Sequence, residues 1–175
     1  MRRFVTGTGT DGKSRIFNDL PEPGLIKVEG REGFAIHNMW QTVEAKPFVG
    51  VDQDMARPKG LLPPENGTIL RIVDFPPDIK DPEERRKVFE RQFKEQFGDV
   101  AHNTEDGVDV GMHQHPTIDY AIVIKGSIVL VLDNGEQLLE EGDIVIQRGA
   151  NHRWQNETNE ICRIAFVQVD GRDQP

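Results

Sequence analysis

Between residues 111 and 169 the chain leaves no room for a long helix. Its apolar stretches there are short, and a turn signal closes each one. The strand candidates are 111–115, 119–125, 127–132, 137–139, 143–147, 152–155 and 162–169. The breaks between them are Gly126, Asp133-Asn134-Gly135, Glu141-Gly142, Arg148-Gly149 and Asn156 to Asn159. Many short strands at this spacing predict an all-β sandwich or barrel. The chain has 175 residues, the length of one ordinary domain, with 17 Gly and 11 Pro, so the punctuation is dense throughout.

Some of these strands are apolar on both faces. Ile128, Leu130 and Leu132 share one side, and Val129 and Val131 the other. Ile164 and Phe166 oppose Ala165, Val167 and Val169. One face then lines the interior, and the other needs a cover. Three covers are open: the amino-terminal segment, the helix described next, or a second copy of the chain. A homodimer contact is the expectation carried forward.

The one strong helix spans about 82–97. Asp81 is a good N-cap, Pro82 suits the first helical position, and Glu83 and Glu84 complement the positive end of the dipole. Phe89, Phe93 and Phe97 recur at i, i+4 and i+8 with Val88 alongside, and Arg85, Arg86, Glu90, Arg91, Lys94 and Glu95 form the other face. The Phe stripe reads as packing onto the domain surface, with a lid over a ligand cavity as the alternative. Upstream, strand candidates fall at 3–6, 15–17, 34–43 and 68–75, and residues 21–32 read as loop.

Composition excludes several function classes. No run approaches the roughly 18 consecutive apolar residues of a membrane span. The start, Met1-Arg2-Arg3-Phe4-Val5, carries no apolar run of a secretory signal, and the single cysteine, Cys162, fits a reducing compartment, so a cytoplasmic location is expected. Lys plus Arg number 21 against 30 Asp plus Glu, a net charge of -9, which disfavours nucleic acid and anionic membranes as partners. A small-molecule substrate is the partner expected. Gly7 to Ser14 matches the spacing of a phosphate-binding loop, G-x-x-x-x-G-K-[ST], but such a loop needs a helix directly after it. Arg15-Ile16-Phe17 reads as strand, so a hairpin turn is expected instead.

The chemistry concentrates in three of the five histidines. His113 and His115 are two apart, so a strand points both to one face, and Thr117 and Asp119 keep that parity. His152 follows a turn and a strand, from where a neighbouring strand can bring it to the same pocket. Trp154, two residues later, should line that cavity. Two imidazoles and a carboxylate from one strand make metal-ligand geometry. Tyr120 faces away from Asp119 by parity. Arg71 and Arg163 could reach a substrate anion but read as surface ion-pairing residues, and His37 and His102 carry no functional claim.

These residues resemble the cupin family. Its first motif, G-x5-H-x-H-x(3,4)-E-x6-G, is met by Gly107, His113, His115, Asp119 and Gly126, with Asp in place of Glu. Its second, G-x5-P-x-G-x2-H-x3-N, is met by Gly142, Gly149, His152 and Asn156, with a spacer one residue short and Gln147 in place of proline. The resemblance implies a jelly-roll β-barrel with a metal at its centre, held by His113, His115, Asp119 and His152. Asp119, one methylene shorter than Glu, either reaches the metal through a shifted backbone or hydrogen-bonds a ligating histidine. The organisation implied is a single domain over 1–175, with an amino-terminal extension 1–67 and a core barrel over about 68–170 that carries a helical insertion at 81–98.

Three imidazoles and a carboxylate suit one divalent transition metal: Fe, Mn, Ni or Zn. The expected function is a metal-dependent enzyme acting on an anionic or enolisable carbonyl or phenolic substrate, as a dioxygenase or a Lewis-acid decarboxylase or isomerase. The alternatives are a non-catalytic binding module and a metal-free epimerase or cyclase.

Overall fold

The computed structural model describes residues 1–17, 24–49, 58, 60–98, 101–102 and 110–172. Gly107 of the first motif and most of the acidic stretch 99–109 lie outside the described residues. The strands in chain order are β1 (Val5–Thr8), β2 (Ser14–Phe17), β3 (Gly24–Lys27), β4 (Ala35–Thr42) and β5 (Thr68–Phe75). Then come helix α1 (Pro82–Gln96) and strands β6 (Ala101–His102), β7 (His113–Gln114), β8 (Thr117–Lys125) and β9 (Ile128–Leu132). The chain closes with β10 (Gly135–Leu139), β11 (Ile144–Arg148), β12 (His152–Gln155) and β13 (Cys162–Asp170).

β1 and β2 form a two-stranded hairpin, and the other strands build two antiparallel sheets, β11-β8-β13-β5-β4-β3 and β10-β9-β12-β7-β6. The core gathers Val73, Ala121, Ile164 and Phe166 from the first and Ile128, Leu130 and Trp154 from the second. The all-β jelly-roll expectation is met, with one difference: the sheets stack as a sandwich rather than closing into a continuous barrel. Gly126 explains the tight passage from β8 to β9. Its φ is +80°, and an added Cβ would stand 3.3 Å from the Cys162 backbone.

β8 shows the alternation that places the site. Thr117, Asp119, Ala121 and Val123 are buried, while Ile118, Tyr120, Ile122 and Ile124 are exposed. The outward side of this sheet stays apolar and open: Ile144 is 64% exposed, Ile146 50% and Tyr120 43%. The helix does not cover it. Phe89, Phe93 and Phe97 instead join the interior cluster, so the stripe packs inside the domain rather than onto its surface. The helix begins as expected, with Asp81 Oδ1 accepting from the Glu84 amide at 2.8 Å and Pro82 in the first turn.

The segment 21–32, read as loop, contains a strand, and a second short strand falls in the acidic stretch 99–109. Gly24–Lys27 pairs with β4 as an edge strand, and Ala101–His102 pairs with β7. Edge strands this short carry little periodicity, so tertiary pairing decides them. Gly7 to Ser14 forms the β1–β2 hairpin, with Val5 opposite Phe17 and Gly9 N–H donating to the Lys13 carbonyl at 2.9 Å. Strand β2 rather than a helix follows the turn directly, which is not the arrangement a phosphate-binding loop needs.

Candidate metal centre and its cavity

Strand pairing assembles the site. His113 on β7 lies directly opposite His152 on β12. His115 follows β7 by one residue and precedes β8. The ligand atoms of His113, His115 and His152 all lie within 4.8 Å of one another. The rings of His113 and His152 are 4.4 Å apart, and His115 stands 5.7 Å from each.

Each imidazole is held by its Nδ1. His113 Nδ1 lies 2.9 Å from the Gly111 carbonyl, and His152 Nδ1 lies 2.9 Å from the Ala150 carbonyl. A carbonyl only accepts, so both Nδ1 atoms carry a proton, and in the neutral imidazole Nε2 is the atom left with a lone pair. His115 Nδ1 lies 2.5 Å from Thr117 Oγ1, which donates to Asp119 Oδ1 at 2.5 Å. The third Nδ1 is therefore also a donor. Burial pushes His152 down to about 4, with the Ala150 carbonyl opposing, so its imidazole is neutral at pH 7. Three imidazoles anchored through Nδ1, with ligand atoms this close together, are the donor set a divalent transition metal takes. The residues fit the group.

The candidate residues divide. The cluster holds the three histidines. Asp119 stands at its edge, with Oδ2 3.8 Å from His115 Nε2 and accepting from Gln168 Nε2 at 3.2 Å. Burial pushes its carboxyl up, opposed by the hydrogen bond from Thr117. Thr117 does not line the cavity; it stands behind His115, with its hydroxyl engaged between His115 and Asp119. Trp154 does line it, edge-on to His152 at 6.0 Å between ring centres.

The cavity is a partly open, mostly apolar cleft. Its walls include Phe75, Phe93, Trp154 and Phe166, with His113 5.4 Å from Phe93. Gly111 lets the Phe89 ring of the helix pack against the chain just before β7. Its φ is +97°, and an added Cβ would fall 2.6 Å from the Phe89 ring.

Arg71 corrects an expectation. It is 1% exposed and lines the cavity rather than pairing at the surface. Its guanidinium donates to Asn38 Oδ1 at 3.0 Å, the Leu61 carbonyl at 2.6 Å and the Gly60 carbonyl at 3.0 Å. Parity on β5 carried the signal, because Arg71 alternates with buried Ile69 and Val73. Arg163 does pair on the outer face, donating to Asp74 at 2.6 and 2.8 Å. His37 stands 3.5 Å from the same carboxylate. Arg31, Phe34 and Gln92 also line the cavity and belong to no motif.

Comparison with known proteins agrees with this architecture. A family model described as "Cupin domain" matches residues 102–168. The chain is 32% identical to "Oryzines biosynthesis cluster protein J" of Aspergillus oryzae, over 98% of its own length and 84% of that protein. It is 28% identical to "Phomopsin biosynthesis cluster protein D" of Diaporthe leptostromiformis, over 97% and 78%. It is 27% identical to "Cupin-domain-containing oxidoreductase virC" of Hypocrea virens, over 89% and 67%. With the two-sheet jelly roll and the two histidine motifs on facing strands, the chain belongs to the cupin superfamily.

Proposed function

We propose that the chain is a metal-dependent small-molecule enzyme, an oxidoreductase in a biosynthetic sequence. The single observation that carries the reading is the convergence of three Nδ1-anchored imidazoles at one end of an aromatic-walled cavity. The names of its relatives, cupin-domain-containing oxidoreductases and biosynthesis cluster proteins, agree with it.

His113, His115 and His152 would hold the metal, with Asp119 orienting His115 through Thr117. When bound, iron, manganese, nickel or zinc supplies Lewis acidity, and iron or manganese also supplies redox capacity. The residues of this chain do the rest. Phe75, Phe93, Trp154 and Phe166 exclude water and favour a flat, largely apolar substrate body. The neutral imidazoles leave the metal's positive charge mostly uncompensated, which favours an anionic or enolisable oxygen on the substrate.

Metal analysis of protein purified without chelator tests this, together with turnover of a panel of carboxylates, β-dicarbonyls and phenols with and without air. The expected result is close to one equivalent of metal and a turnover that disappears in EDTA. Metal-free protein whose activity survives EDTA overturns the reading. Metal-loaded protein with no turnover across the panel makes the chain a binding module instead.

A further inference from the structure

Arg31 follows β3 in the passage to β4, outside every motif of the family. Its side chain is buried, with the residue 7% exposed. The guanidinium is held between two aromatic faces, 4.3 Å from the centre of Phe34 and 4.4 Å from that of Phe89. It donates one hydrogen bond, to Gln92 Oε1 at 3.1 Å. Among the described residues that neutral amide is its sole side-chain partner, and no carboxylate stands within ion-pairing distance of it. Asp78, the carboxylate whose field reaches it, is engaged by Arg153 at 3.2 Å and Arg85 at 3.9 Å. Burial pulls Arg31 down to about 10, so it remains a cation at neutral pH.

A buried cation is ordinarily neutralised by a paired anion. Arg31 lines the same cavity as the three imidazoles. The other guanidinium on that wall, Arg71, is tied to two backbone carbonyls and Asn38. The two rings cover the guanidinium without offering a carboxylate or carbonyl acceptor, which leaves its N–H edge as the recognition element. A planar carboxylate meets that edge with two parallel hydrogen bonds.

We infer that Arg31 is the anion-recognising residue of the cavity, binding a carboxylate carried by a flat aromatic or conjugated body. This rests on the reading of the cavity as the substrate site, but not on a metal being bound. Phe34 and Phe89 hold the guanidinium, and Phe75, Phe93 and Trp154 face the ligand body. Because Phe89 and Gln92 belong to α1, ligand binding at Arg31 also ties the helix to the β3–β4 passage.

The test compares 2-naphthoate with its neutral amide, 2-naphthamide, by calorimetric titration into the metal-stripped full chain. The expected result is at least tenfold tighter binding of the carboxylate. Arg31→Met keeps the length and the apolar stem, and should bring the two affinities together. Arg31→Lys keeps the charge without the planar fork and should lower the ratio at least threefold. Equal affinities in the metal-stripped wild type, no naphthoate binding, or a ratio untouched in Arg31→Lys overturns the inference. Since every arm is read without metal, a failure here differs from a failure of the metal reading, which shows in metal content alone.

Discussion

The Thr117 hydroxyl stands 2.5 Å from His115 Nδ1 and donates its own hydrogen bond to Asp119 Oδ1 at 2.5 Å. One short side chain thus couples an imidazole to a buried carboxylate and fixes which nitrogen of His115 carries hydrogen. Thr117→Val keeps the shape and removes the relay. It leaves the His115 N–H and an Asp119 oxygen short of a partner, at a cost of about 1–3 kcal/mol in stability. Metal affinity should fall about 10- to 100-fold, as when other partners of ligating histidines are removed. Chelator competition and thermal melting check the two effects, and Thr117→Ser should restore most of both.

The three imidazoles are expected to act as a unit. His113→Ala removes one of them and the anchor on the Gly111 carbonyl. It should abolish stoichiometric metal and lower the melting temperature of the metal-loaded protein. EDTA should lower the wild-type melting temperature and leave that of His113→Ala unchanged. Unchanged metal content in the variant would sink the ligand assignment.

Arg71 should prove a structural keystone. Arg71→Met strands the Gly60 and Leu61 carbonyls and Asn38 Oδ1, all of which accept from the guanidinium. Loss of these charge-assisted bonds predicts about 3 kcal/mol of destabilisation, read from urea unfolding. Arg71→Lys should recover only part, because an ammonium cannot span the three acceptors in one plane.

Acid sensitivity should trace in part to Asp74. Burial raises its carboxyl, but Arg163 at 2.6 and 2.8 Å and His37 at 3.5 Å overcome that and hold it below its ordinary value. A depressed folded value adds stability that is present above the unfolded carboxylate range, about pH 4, and is lost as pH falls through the folded value. Asp74→Asn should therefore be less stable than wild type at pH 7 by about 1 kcal/mol, because the pair is partly screened by solvent. The difference should shrink to nothing between about pH 4 and pH 2. A difference that persists at pH 2 would assign the cost to packing rather than to charge.

How much was legible in the residues depends on range. Period-2 alternation in β8 placed Thr117 and Asp119 inward and Tyr120 outward, because a strand's parity is local. The cap and Phe spacing of α1 were legible for the same reason. The destination of the Phe stripe was not, since a helix pattern states which face is buried and not what it meets. The strand Gly24–Lys27 was hidden because pairing with β4, rather than its own periodicity, makes it a strand.

The residues by themselves marked the short strands, the helix over about 82–97, and His113, His115, Asp119 and His152 as candidate ligands, because parity is local and the motif spacings match the cupin pattern. Only the tertiary structure decided that the helix walls the cavity, that Thr117 stands behind His115, and that Arg31 and Arg71 are buried cations. Those depend on side chains about 60 residues apart, Arg31 on Phe89 and Gln92, or about 30 apart, Arg71 on Asn38. A cation's burial is set by what packs over it, and no local pattern in the chain records that.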